Sequence, residues 1–216
     1  MNRIITLLIF ICCFSCKKDI KNTKLEGEVF GTSYNITYHS EINFERQFDS
    51  LFTIINQSMS TYQENSAISK LNRNEDSLVD DHFIKVFEVS KDIYNKTDGV
   101  FDPTIGAVVN AWDFGPEGKI INLDSLKIDS LMQSVGLDKV TLIDNKIIKP
   151  KGTFIDFNAI AKGYGVDVIG TFLESQHIEN YLVEIGGEIR TRGINVEKKS
   201  DWKVGVEMPH FDGTQS

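Results

Sequence analysis

The chain has 216 residues, 41% of them hydrophobic and 25% charged, and its 31 acidic and 23 basic side chains give a formal net charge of −8. That length suits one large domain or two small ones around a sizeable core, and the acidic balance, with no dense basic stripe, excludes nucleic acid as the main partner. All three cysteines, Cys12, Cys13 and Cys16, lie near the start, so thiol catalysis and cysteine-ligated metals are excluded from the body of the chain.

Met1-Asn2-Arg3 supplies one positive charge, and an apolar run from Ile4 to Phe14 follows, broken only by Thr6. The run is too short to span a bilayer as a stable helix but has the length of a signal-peptide core. Ser15 then precedes Cys16, with the polar KKDIKNTK behind. This junction resembles a bacterial lipoprotein cleavage site, although Cys13 and Phe14 stand where a Leu and a small residue are usual. A plain secretory signal is the alternative. On the lipoprotein reading, residues 1–16 form the signal peptide, Cys16 carries the lipid and residues 17–26 form a polar tether. The expected location is a bacterial membrane, facing the periplasm or exterior.

Beyond the tether, Val29 to Tyr38 reads as a strand with Gly31 near its start. Phe48, Leu51, Phe52, Ile55 and Met59 fall at helical spacing and predict an amphipathic helix. A second helix is predicted from about His82 to Lys96. A third carries Ile128, Leu131, Met132 and Val135 and should end at Gly136 in a left-handed cap. Val140 to Ile143, Ile147-Ile148 and Phe154 to Phe157 read as strands, followed by a helix from about Ile160. Strands are predicted again at Tyr181 to Ile185 and Trp202 to Val206. The order predicts an α+β fold, with an N-terminal helical and strand layer followed by a strand–helix–strand layer.

Several tempting motifs fail. Gly163-Tyr164-Gly165 has Val168 where a dinucleotide fingerprint needs glycine, Gly118-Lys119 lacks the upstream glycine of a P-loop, and the four histidines have no ligand spacing. Four element junctions remain. They are Phe30-Gly31-Thr32; Met59-Ser60-Thr61-Tyr62 with the following Ser66 to Asn72; Gly99 to Thr104 leading into Trp112-Asp113-Phe114-Gly115; and DFNAIAKGYG at 156–165 with Gly186-Gly187-Glu188 behind it. At the last of these, Asp156, Asn158 and Lys162 crowd a strand-to-helix turn. A helix N-terminus there offers free N–H groups and partial positive charge to a phosphate. Each junction also has a plain reading: Asn158 as an N-cap, Asp102 as a turn residue, Tyr62 and Trp112 as rim aromatics, and Lys162 as a surface lysine.

Taken together and in this order, MSTY, GVFDPTIGAVVNAWDFG, DFNAIAKGYGVD and the later GGE resemble the FAD:protein FMN transferases, the ApbE-type flavin transferases, from about Phe30 to Pro209. The resemblance implies a T-fold-like architecture and a domain over 27–216. It also implies Mg²⁺-dependent transfer of FMN from FAD to a threonine of an acceptor flavoprotein, with release of AMP. The partner would be a subunit of a membrane redox complex. Carried over by position, Phe30, Tyr62, Trp112, Asp113, Phe114, Asp156 and Lys162 would contact FAD, and the backbone carbonyl of Ala159 would ligate Mg²⁺. Family members continue further, through residues that complete the metal site. The expectation is therefore of a chain incomplete at its C-terminus, with catalytic residues beyond it. Alternatives are an FAD pyrophosphatase and an inactive flavin-binding lipoprotein.

Overall fold

Two strands where one was expected open the structure, a computed structural model that describes residues 20–206. β1 (Asn22–Val29) and β2 (Thr32–His39) pair antiparallel about Phe30-Gly31. Both turn residues are left-handed, with φ of 53° and 74°. A two-residue turn of positive φ matches the twist of the flanking strands, and a phenylalanine in its first position hides it from a sequence reading. β1 therefore begins at Asn22, inside the stretch expected to be a tether.

β5 (Tyr181–Ile185) pairs with β2, and β6 (Glu188–Arg192) pairs with β5, giving an antiparallel sheet in the order β1-β2-β5-β6. Alternate residues Tyr34, Ile36 and Tyr38 of β2 and Tyr181, Val183 and Ile185 of β5 are buried, as the two-residue period requires. Their face packs on α1 (Glu45–Met59) and α6 (Ala161–Ser175) through Phe48, Phe52, Val166, Ile169 and Leu173. α1 also reaches a second core: Ile55 and Met59 join Phe83, Val86 and Phe87 of α3 (Asp81–Lys96), Ile68 and Leu71 of α2 (Ala67–Asn72), and Ile155 and Phe157. The α+β class holds, with strands from both ends of the chain sharing one sheet.

The remaining elements are α4 (Gly106–Ala111), α5 (Ser125–Met132) and the short ribbon of β3 (Thr141–Ile143) and β4 (Lys146–Ile148). Three expectations are corrected. α5 stops at Met132, and Gly136, at φ 134°, leads instead into a short 3₁₀ turn at Leu137–Lys139. Phe154 to Phe157 is not a strand: it makes one bridge, from Phe154 to Ile105, while Ile155 bonds to the Asn72 side chain, the Asp156 amide to the Pro103 carbonyl and the Phe157 carbonyl to the turn that opens the next helix. Trp202 to Val206 has no strand partner among the described residues, although the Trp202 indole donates to the Arg192 carbonyl at 3.0 Å. β6 went unrecognised because Ile189 is its one apolar residue and none of its residues is buried.

Candidate functional site

The segment leading into α6 is held from two sides. Asn72, the last residue of α2, donates from Nδ2 to the Ile155 carbonyl and accepts from the Ile155 amide, both at 2.8 Å. The Asp156 amide donates to the Pro103 carbonyl at 2.8 Å. Gly106 sits where the two segments meet. A Cβ there would lie 2.5 Å from the Phe154 ring and 2.9 Å from the Phe154 carbonyl oxygen, so only glycine allows the approach.

These bonds aim Asp156. Its carboxylate accepts from the Asn158 amide at 2.6 Å and from Asn158 Nδ2 at 3.1 Å. Burial pushes the Asp156 carboxyl above its usual range, and the two Asn158 bonds partly offset the rise. Asn158 thus serves the carboxylate and does not cap the helix: α6 starts at Ala161, with Ile160 before it and no side-chain cap. The Ala161 and Tyr164 amides bond to the Phe157 and Ile160 carbonyls. Among the described residues, the amides of Lys162 and Gly163 and the carbonyl of Ala159 have no hydrogen-bond partner. A half-buried carboxylate, a free carbonyl and a helix start with free donors therefore lie within a few residues of one another.

Asp156, Asn158 and Ala159 line a cavity of about 840 Å³, together with Asp102, Val109 and Phe114. On its rim Phe114 is 75% exposed, and the Tyr62 hydroxyl donates to the Phe114 carbonyl at 3.4 Å. Trp112 closes α4 and is also exposed. Asp113 follows in a left-handed conformation, with Lys119 3.9 Å from its carboxylate. Four of the residues singled out by sequence, Tyr62, Phe114, Asp156 and Ala159, thus meet at this cavity or its rim, and Trp112-Asp113 adjoins them.

Lys162 and Phe30 form a separate group. The Lys162 ammonium donates to the Gly186 carbonyl at 3.3 Å, at the β5–β6 turn. Phe30 is half-buried, edge-on to Phe52 at 5.7 Å and pressed against Gly165 of α6. Ala159 also lines a second cavity, of about 880 Å³, whose walls come from α3, α6 and β6. Cys16 lies outside the described residues. Gly106 and the aiming role of Asn158 escaped the sequence reading, since neither a close approach between distant segments nor a local carboxylate–amide pair has a periodic signature. No group of three or more histidine, cysteine, aspartate or glutamate side chains that could hold a metal occurs among the described residues. Oxygen atoms suited to a metal at the cavity include the Ala159 carbonyl and the Asp156 carboxylate, and the carboxylates of Asp98, Asp102 and Asp138 also belong to its lining.

With this geometry in view, a family model described as the ApbE family matches residues 30–216. The chain belongs to the ApbE family. It is 32% identical to the FAD:protein FMN transferase of Vibrio cholerae over 98% of this chain and 66% of that protein. It is also 32% identical to the FAD:protein FMN transferase of Haemophilus influenzae, over 100% of this chain and 67% of the relative. Among solved structures, the flavin transferase ApbE from Vibrio cholerae superposes with a TM-score of 0.82 at 31% identity, over 91% of this chain and 67% of that one. An ApbE protein from Thermotoga maritima gives 0.70 at 28% identity, over 80% and 59%. The chain thus spans about two thirds of the length of the ApbE relatives it matches.

Proposed function

We propose that this chain carries out, or forms the FAD-holding part of, Mg²⁺-dependent transfer of FMN from FAD to a threonine hydroxyl of an acceptor flavoprotein. One observation carries the reading: the exposed Phe114, whose carbonyl accepts from the Tyr62 hydroxyl, lines the same cavity as Asp156 and Ala159, whose carbonyl has no hydrogen-bond partner among the described residues. A dinucleotide has that same division into flat rings and charged pyrophosphate. The threonine oxygen forms a new ester bond to the phosphorus on the FMN side. The bond from that phosphorus to the bridging oxygen breaks, AMP leaves with it, and the hydroxyl proton is released. Phosphoryl transfer asks the protein chiefly for alignment and charge neutralisation.

The residues present fit a metal in part. The Ala159 carbonyl and the Asp156 carboxylate would hold Mg²⁺ or the phosphates around it, and the ion would neutralise charge on the pyrophosphate. The amides of Lys162 and Gly163 would receive phosphate oxygens, as free helix-terminal donors do. Anchoring at Cys16 to a bacterial membrane, facing the periplasm or exterior, would place the site beside an acceptor subunit of a membrane redox complex.

The test mixes the purified chain with FAD, Mg²⁺ and a threonine-bearing flavoprotein. AMP is followed by chromatography, and the acceptor by flavin fluorescence on a denaturing gel. FAD binding with AMP release and a fluorescent acceptor band supports transfer. AMP release without labelling points to the pyrophosphatase alternative. A chain that leaves flavin fluorescence unchanged on mixing with FAD does not have this function.

A further inference from the structure

Thr104 is fully buried and does not line the large cavity, although its neighbours Asp102, Pro103 and Ile105 all do. Its hydroxyl is used in both directions. Oγ1 donates to Asp102 Oδ1 at 2.6 Å and accepts from the Gly136 amide at 2.7 Å. The Thr104 amide donates to the same Asp102 oxygen at 2.8 Å, so the aspartate closes the turn on itself as short acidic side chains do. Thr104 then extends that local tie to Gly136, 32 residues along the chain. Gly136 is buried and adjoins Leu137, a fully buried member of the second core, so the hydroxyl joins the turn to packed structure. On its other side the turn holds the site: the Pro103 carbonyl accepts from the Asp156 amide at 2.8 Å, and Ile105 bridges Phe154 in parallel.

We propose that Thr104 is a positioning residue for the Asp156 carboxylate: its hydroxyl pins the Asp102–Ile105 turn to Gly136, and the pinned turn sets where Asp156 stands. Its effect on ligand binding rests on the FAD reading above, whereas its effect on Asp156 rests on these bonds alone. A threonine suits the task because its one hydroxyl hydrogen goes to Asp102 while a lone pair remains for the Gly136 amide, and its β-branch restricts χ1. Valine would keep the shape and lose the hydroxyl. Asp102 would still accept from the residue 104 amide, so the loss would fall on the Gly136 amide, left buried and unpaired. Serine would keep the hydroxyl and lose only the methyl.

The experiment combines residue-resolved amide hydrogen exchange with FAD titration calorimetry on wild type, Thr104→Val, Thr104→Ser and Phe48→Leu, the last a sheet-core change that lowers stability away from the turn. In wild type the Gly136 and Asp156 amides should exchange through one shared opening, with the same denaturant dependence. Valine should speed exchange at both amides and weaken FAD about tenfold. Serine should melt below wild type yet keep its FAD affinity, and Phe48→Leu should do the same, which separates positioning from general stability. Wild-type FAD affinity in the valine protein, or an equal loss in serine or Phe48→Leu, overturns the assignment. Gly136 exchanging freely in wild type while Asp156 stays protected overturns it as well, and this measurement decides even if the valine protein does not fold. A wild type that ignores FAD refutes the FAD reading, and the joint exchange of the two amides then decides the role of Thr104 by itself.

Discussion

Two regions meet at the site, and they are built differently. The sheet, α1, α3 and α6 carry both hydrophobic clusters, with Phe48, Phe83, Phe157, Ile169 and Tyr181 fully buried. The arm from Gly99 to Gly136 contributes no residue to either cluster, and α5 within it buries none of its side chains. It instead exposes Val100, Trp112, Phe114, Ile121 and Leu126. The packed region supplies the polar corner, where Asp156 needs fixed geometry. The arm supplies aromatic surfaces, which tolerate adjustment. Such a division places low local stability where a ligand must enter.

The sharpest way to break this comparison is to delete apolar groups on each side. Phe48→Ala removes a fully buried ring at the centre of the sheet core and should cost about 3–5 kcal/mol. Leu126→Ala, in the arm, should change stability by less than about 0.5 kcal/mol. Urea unfolding of both proteins decides the matter, and comparable losses would mean that the arm is packed as firmly as the core.

Asn72 should have the next largest effect, because it couples the α2 end to the site. Alanine there leaves the buried amide and carbonyl of Ile155 without partners, at about 2–3 kcal/mol in all. FAD affinity should fall with it, since Asp156 would lose its bearing. A destabilised Asn72→Ala protein that binds FAD as wild type does would separate the anchor from the site.

Tyr62 tests the other region. It is 65% exposed, and its hydroxyl donates to the Phe114 carbonyl of the arm. Tyr62→Ala should leave thermal stability unchanged and weaken FAD binding by about 1 kcal/mol, the order of one aromatic contact. A fall in melting temperature without a fall in affinity would make Tyr62 a structural residue.

How much of this was legible in the sequence follows the same boundary. α1 could be read from its apolar face and α3 nearly to the residue, because one face of each is buried and the 3.6-residue period survives. β5 could be read because its alternation is complete. Phe154 to Phe157 imitates a strand because Phe154, Ile155 and Phe157 are all buried, although the backbone partners come from a side chain and a turn. At the site, the residue types were legible as a set of unusual junctions. Their separation was not: Asp156 and Lys162 lie six positions apart, yet one faces the large cavity while the other bonds to Gly186. Which side of a helix start faces a ligand depends on distant segments, here Pro103 and the β5–β6 turn, that leave no mark on local spacing.

The smallest expected effect lies where the two regions touch, at the Asp156 carboxyl. Burial raises its pKa in the fold, against the bonds from Asn158. Below the unfolded value of 3.8 the group is protonated in both states and exacts no penalty. As pH rises through the raised folded value, the charge is forced onto a partly desolvated oxygen and stability is lost. Asp156→Asn carries no charge and keeps an oxygen to accept from the Asn158 amide. Its melting temperature should therefore match that of wild type near about pH 3 and exceed it by a margin that opens toward about pH 7. FAD binding should move the other way, weakening in the variant at neutral pH, because the ionised carboxylate is the form that serves a metal–phosphate ligand. A stability difference that stays constant across this range would show that the carboxyl does not titrate with folding. Asp156 would then be held by its hydrogen bonds alone.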